Sequence, residues 1–588
     1  MNVDKSVARM RTLQGENDGR PPRDGNSRTR LGLARTLLAA TALVSFSQIA
    51  SAQTVLPANA KTTCTVSAVE FADWFISGTV TVNGGVDPAN SLTFPNMPNC
   101  SFYKWSEQMF LWLTSPVPAK YGGGTHVFDS PVFYDVSPPD PNDGFKRTLT
   151  PNTPGRIRIF NASIPQLGPA KKPVAFDKTG KIFTIVRPQA GPTGKPLIRD
   201  KAGQPVEIAK TQIAPNGKPI FLDKTGKAIE FRADRAGNPI LLDRANKTID
   251  FRVNKVLLNG KFFFLDANGN AIETEQGQAD GNALIAQNGS LVYYALQVND
   301  VYAYLATGIK NGGITGTNSK FPITPADLNK ITAFGLAHSK TFPDANALAV
   351  ELKSSWIEAD GLPDIDKYVT MSARIPTFDK SNPMHWVQNG SKVEKLAMVG
   401  MHVVGSTAGH AEMIWATFEH VNNSRNAGFS YTNNANALVN VAQNNAGTWL
   451  FSKTPPLAAA DQNQPLAAPS GADIVATTAA PIGPSDVLRV NPWGRPGNAT
   501  SSNTEILSIN NSVIGQLLAG DVRKNYIMTG STWTIGGNAP SGGNQVGTNQ
   551  MANTTMETFF QPSNCFSCHS TNQYPVSHIF NDLKPLFP

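Results

Sequence analysis

Cysteine is scarce, with four residues in 588, and histidine numbers only eight. So little cysteine leaves no disulfide-dense scaffold to consider, and each thiol must be read by its position. Charge is also sparse. Charged residues make up 16% of the chain, while glycine (49) and proline (43) are plentiful. That composition argues against a helical bundle and for a loop-rich, strand-rich, exported protein. Beyond the first fifty residues no stretch has eighteen uninterrupted apolar residues, so no membrane-spanning helix is expected once a leader is removed.

Residues 1–52 read as that leader. Arg28, Arg30 and Arg35 precede an apolar run, Leu37 to Ile49, and then Ala50-Ser51-Ala52. A basic region, a short apolar region and a small-x-small ending describe a secretory signal, with cleavage expected after Ala52. Met10 offers an alternative start, and an uncleaved anchor is the competing reading. The remaining chain is expected in the periplasm or outside the cell.

The net charge of +8 is uneven. Residues 1–52 carry eight Lys or Arg against four Asp or Glu, and residues 171–261 carry nineteen against eight. The rest is mildly acidic. An exported chain of this kind is not expected to bind nucleic acid, but the basic block suits an acidic partner. The same block holds a repeat: PTGKPLIRDKAG (192–203), PNGKPIFLDKTG (215–226), RAGNPILLDRAN (235–246) and LNGKFFFLDANG (258–269), with VAFDKTG (174–180) as a partial copy. Asp-x-x-Gly and Gly-Lys are turn signals, and the runs between them are β-branched and aromatic. A β-meander array is predicted. One carboxylate per turn is too few for calcium.

Elsewhere, 103–115 reads as helix, Val127–Tyr134 as strand, 284–308 as strand then helix, and 325–352 as one or two short helices. Residues 395–404 read as a buried strand, followed by a Gly-Ser-Thr-Ala-Gly turn and a helix over 410–421. A long surface loop is expected over 454–486 and a short helix over 553–560. The fold class expected is α+β and strand-rich, a large irregular body with an inserted repeat. Its parts are 1–52 leader, 53–170 N-terminal part of the main domain, 171–290 insertion, 291–534 main domain and 535–588 C-terminal segment.

That C-terminal segment contains Cys565-Phe566-Ser567-Cys568-His569. Two thiols three residues apart on one turn can each form a thioether to a vinyl group of one haem, and the next residue then sits under the iron as proximal ligand. Such attachment occurs outside the cytoplasm, in keeping with the leader. A thioredoxin-like redox pair, a zinc site with His578 as a further ligand, and a plain Cys565–Cys568 disulfide are the competing readings.

The pentapeptide resembles the attachment motif of c-type cytochromes. With NCSFYKWSEQMFLWLTSP (99–116) and HVVGSTAGHAEMIWATFEH (402–420), it makes the chain similar to large exported monohaem bacterial proteins of the cytochrome-c family. The resemblance implies one covalent haem c and names no substrate. Small members of the family find a distal methionine downstream of the motif; none of the nineteen residues after His569 is a methionine. The sixth iron position is therefore expected to be left open or filled by His578, Met551, Met556 or the 402–420 segment. There His402, His410 and His420 concentrate three of eight histidines. His402 or His410 leads as distal ligand, with His402 sharing a strand face with Met398 and Val404. The bland alternative is that this segment is core. Glu412, Trp415 and Glu419 would share a helical face, and the three histidines with Glu412 and Glu419 are the candidate acid–base groups.

Cys64 and Cys100 remain, and in an oxidising compartment they are expected to pair. Closing that loop would stabilise the fold by about 4 kcal/mol in the chain-entropy account. The aromatic helix beside Cys100 reads as core, although Trp105 and Trp112 could line a haem edge.

Three functions compete. Electron transfer to a redox partner protein follows from the motif alone. A haem-dependent peroxidase- or oxygenase-like enzyme acting on an exported small molecule or polymer would account for the surplus length, since an ordinary domain needs about a hundred residues. A binding or sensory module would use the basic repeat.

Overall fold

The computed structural model describes residues 56–588 except 96–98, 139, 141–142, 144–145, 163–173, 177–181, 185–196, 214–218, 233–253, 259–260, 266–270, 273–281, 317–319, 471, 495–499, 541–543, 560, 562–564 and 570–575. The expected leader and the repeat copy at 235–246 lie outside the described residues.

A large antiparallel sheet organises the chain. Its strands are β1 (Phe133–Val136), β2 (Leu149–Pro151), β3 (Tyr293–Asn299), β4 (Val350–Glu358), β5 (Thr370–Asp379), β6 (His385–Thr407), β7 (His410–His420), β8 (Tyr526–Thr534) and β9 (Gln545–Gly547). The spatial order is β2-β1-β3-β4-β6-β7-β8-β9, and β5 pairs with the first half of β6. The architecture is mixed and strand-rich, as the composition implied.

Both sheet faces are covered. On the first face lie α1 (Asn99–Leu113) and α4 (Thr500–Gln516), packed on each other and on β8. Phe102, Trp105, Met109, Phe110 and Trp112 of α1 are all buried there, each worth about 1.5–3 kcal/mol. Phe110 stacks on Phe418 with centroids 4.2 Å apart. Trp105 donates to Ser91 and Trp112 to Tyr121, so both tryptophans belong to this core and neither lines the cavity described below. The Cys64–Cys100 disulfide forms and ties the N-terminal segment to the first turn of α1.

On the second face lie α2 (Asp300–Lys310) and α3 (Pro325–Ala337) with the C-terminal segment. Asn299 ends β3 and caps α2, its side chain accepting from Tyr302 N. Thr324 and Asp327 form a capping box around Pro325 at the start of α3. The C-terminal segment is pinned by its backbone: Arg147 N donates to Asp582 O and Lys584 N to Arg147 O, both at 2.8 Å. Gly400 allows a close approach, because a Cβ there would meet Ser355 Oγ and Thr555 Oγ1 at 2.7 Å.

Several expectations are corrected. Residues 410–421 are not helical: β6 and β7 form a tight hairpin through Ala408-Gly409, with Thr407 opposite His410. Every residue of β7 is buried, so both faces demand bulk and the period of two disappears from the sequence. Of the expected helix 553–560, the described residues 553–559 form turns rather than a helix. The loop over 454–486 contains the strands Ala467–Ser470 and Asp473–Ala476, which pair with each other. Within Val127–Tyr134 a 3-10 turn (Val127–Asp129) precedes β1.

In the basic block the described residues form hairpins: 174–176 with 182–184, 197–199 with 205–207, 210–213 with 219–222, and a three-stranded unit over 254–272. The turn chemistry is visible at Asp223, whose Oδ1 accepts from Thr225 N and Lys227 N while Gly226 takes φ +81°. No helix among the described residues is long and apolar enough to cross a membrane.

Candidate cofactor site

Strand register builds the floor of a cavity on the second face. Glu351 and Lys353 of β4 stand opposite Val404 and His402 of β6, and Val404 stands opposite Trp415 of β7. Alternation puts these five side chains on one side, and they line the cavity together. A bulge decides which histidine-strand residues join them. Ser355 pairs with Gly400 but Trp356 pairs with Met398, leaving Val399 extra. That added residue flips Met398 into the first-face core with Leu396 and Met401. Met398 therefore does not share a face with His402, contrary to strict alternation.

The wall opposite the strands comes from Met551, Ala552, Glu557, Cys565 and His569. The non-atom space is about 690 Å³, its open mouth included.

Cys565–Cys568 form one helical turn, and His569 N donates to Cys565 O at 2.9 Å. Thus Cys565 and His569 emerge on the same side of the turn. Cys565 carries a free half-buried thiol. Burial, reinforced by Glu557, pushes that thiol up to about 12.

His569 Nδ1 lies 3.1 Å from Val576 O. A carbonyl only accepts, so the proton sits on Nδ1 and Nε2 keeps its lone pair. Burial, reinforced by Lys353, lowers the imidazole to about 3, so it is neutral at physiological pH. A neutral ring with one nitrogen committed to a carbonyl is the form that ligates a metal. Its plane is held by Trp415, centroids 4.2 Å apart, and by His578, stacked at 3.8 Å and 8°. Parallel rings direct their in-plane lone pairs side by side, which does not favour His569 and His578 as joint ligands of one zinc ion.

His402 Nε2 lies 3.0 Å from Glu557 Oε1, and Glu557 Oε2 accepts from Asn553 N at 2.8 Å. Burial opposes ionisation of Glu557, but His402 and the Asn553 amide outweigh it and hold the carboxyl below its usual range. Glu351 is raised by burial, against the pull of Lys353 and the Ser577 hydroxyl.

The other histidines of the 402–420 segment are elsewhere. His410 packs edge-on against Phe102 of α1, with Nδ1 2.8 Å from Glu412 Oε1, and that carboxylate also accepts from Thr534 N and Oγ1. His420 stacks on Tyr368; its Nε2 donates to Lys367 O and its Nδ1 accepts from Asn422 N. Burial lowers it to about 3. Glu419 is paired with Arg489 at 2.7 Å and accepts from Thr554 N. Strand geometry, not a helical face, sets these positions. His410, His420, Glu412 and Glu419 do not line the cavity, whereas His402 and Met551 do; Met556 is buried in the second-face core. Sequence reasoning missed Glu351, Lys353 and Glu557, whose roles arise from register and from a turn read as helix.

Among the described residues no three His, Cys, Asp or Glu side chains converge on a metal position. A haem iron needs only one or two protein ligands, because the macrocycle supplies the rest. The donor chemistry fits such a group: a ligand-ready His569 and the free Cys565 thiol on the same turn both face the cavity. No family model, curated protein or solved structure matches the chain.

Proposed function

We propose that the protein is an exported c-type cytochrome with one covalent haem, held by thioethers from Cys565 and Cys568 and by Nε2 of His569. Its activity on this reading is one-electron transfer to or from a redox partner protein or a small molecule. The observation that carries the reading is the Nδ1 bond of His569 to Val576 O, which leaves Nε2 available at a cavity that Cys565 also lines. The Cys64–Cys100 disulfide is in keeping with an oxidising compartment.

When bound, the haem supplies one-electron exchange. The chain's own residues orient and shield it. Val576 O fixes the proton on Nδ1, Trp415 and His578 hold the ring plane, and Val404 and Met551 keep that part of the cavity apolar.

A second reading, a haem-dependent peroxidase- or oxygenase-like enzyme, draws on one observation. His402 is a cavity residue whose Nε2 is already engaged by Glu557, an arrangement suited to proton transfer rather than ligation. Expression with a haem c maturation system tests the common premise. Haem should stay with the chain on a denaturing gel, and Cys565→Ser or Cys568→Ser should weaken that attachment. A ferric low-spin EPR signal then favours electron transfer, and a high-spin signal favours the enzyme. A chain without covalent haem refutes both.

A further inference from the structure

Behind the proximal histidine lies a buried polar chain that the cytochrome reading does not itself require. Ser577 follows Val576, whose carbonyl accepts from His569, and precedes His578, which stacks on the same ring. Its hydroxyl lies 2.6 Å from Glu351 Oε2 and 2.7 Å from the Tyr302 hydroxyl. A serine has one proton to give. With that proton on Glu351, Tyr302 donates to Ser577, and the direction runs Tyr302 to Ser577 to Glu351. All three are buried, at 0%, 3% and 4% exposure respectively.

We infer that Ser577, held between Glu351 and Tyr302, is a positioning residue that fixes the Val576 carbonyl against His569 and thereby sets the electron-donating strength of that ligand. The inference rests on the haem reading above. The physical link is short. The three residues 576–578 hold His569 by a hydrogen bond at one end and a ring stack at the other, and Ser577 is the fixed point between them. Glu351 is anchored in β4 in the sheet core, and Tyr302 sits in the first turn of α2 against Phe321 and Phe580. The ring's proton acceptor is thus fastened to two rigid elements. A hydrogen bond from Nδ1–H to a carbonyl makes Nε2 a stronger donor, which favours ferric over ferrous iron. Loosening the carbonyl should weaken that preference.

The test is Ser577→Ala in the haem-loaded full chain, read by redox titration and ferric EPR. The variant should retain haem on a denaturing gel while its reduction equilibrium shifts toward ferrous by about tenfold, which for one electron is about 59 mV. Ser577→Thr, which keeps the hydroxyl, should restore the wild-type potential. A role confined to packing would not be rescued in this way. Should Ser577→Ala fail to fold, Tyr302→Phe, which removes only the outer hydroxyl, should shift the potential in the same direction. Covalent haem with an unchanged potential and EPR spectrum in both Ser577→Ala and Tyr302→Phe would overturn the inference and leave the cytochrome reading standing. Wild-type protein without covalent haem would overturn both.

Discussion

Glu107 makes the stability of this protein depend on pH in a direction opposite to most carboxylates. It lies on the buried side of α1, is 4% exposed, and its Oε1 has no hydrogen-bond partner among the described residues. Burial raises its pKa from 4.5 to about 8. In the unfolded chain the carboxyl ionises above its ordinary value, while in the folded chain it stays protonated until the pH reaches about 8. Between those values the folded state binds the extra proton, so stability falls as pH rises. Each pH unit in that window costs about 1.4 kcal/mol. From pH 5 to pH 8 the loss attributable to this group comes to about 3 kcal/mol. Below the ordinary carboxylate range both states are protonated and the loss vanishes. Glu107→Gln removes the titration and keeps the shape. Denaturant unfolding of both proteins at pH 5 and pH 8 gives the assay. The variant's advantage should grow by about 3 kcal/mol between the two pH values. Parallel pH profiles would refute the reasoning, because they would mean the folded carboxyl ionises as freely as the unfolded one.

Other perturbations separate structural from site contributions. The double change Cys64→Ser and Cys100→Ser should cost about 4 kcal/mol by denaturant unfolding, and reductant should then no longer affect the midpoint. Glu419→Gln leaves Arg489 buried beside a neutral partner and should cost about 3–5 kcal/mol, while adding Arg489→Met should recover much of that loss. Gly400→Ala should push residues 553–555 off the sheet and displace Glu557 with them. That variant should lose about 1–3 kcal/mol by the same assay, as overpacking does.

What could be read in the sequence was what is local. The Cys-x-x-Cys-His spacing describes one helical turn, and that turn is present. The aromatic run after Cys100 is a helix because its bulky residues cover most of its surface in core. Asp223 and Gly226 announce their turn because the carboxylate's partners lie within four residues. What could not be read depends on register. Glu351 and Ser577 are 226 positions apart, and nothing near either one signals the other. Met398 does not share the cavity face of His402 because of a bulge at Val399, which no periodicity records. The three histidines of 402–420 looked like one cluster on a strand and a helix. As two strands of a hairpin, they are sent to separate environments.

That separation leaves His402 as the residue on which the two readings of the site divide. His420 uses both ring nitrogens within the fold and His410 is committed to Glu412, so neither can approach the cavity without breaking a buried hydrogen bond. Among the described residues His402 is held by the Glu557 contact through Nε2, and it retains 16% side-chain exposure. For His402 to ligate iron through Nε2 it would have to leave Glu557, exposing that carboxylate to the loss of the charge partner that keeps it ionised. Glu557→Gln weakens this hold without removing bulk. In the haem-loaded protein an electron-transfer site with His402 as ligand should keep or gain low-spin character in this variant, because the competing acceptor is weaker. An acid–base site should instead stay high-spin and lose its reaction with peroxide by about a hundredfold, the usual scale for one general acid–base group. His402→Ala completes the argument, since a change of spin state there, with none in His410→Ala or His420→Ala, follows only if the register-built cavity is where the iron sits.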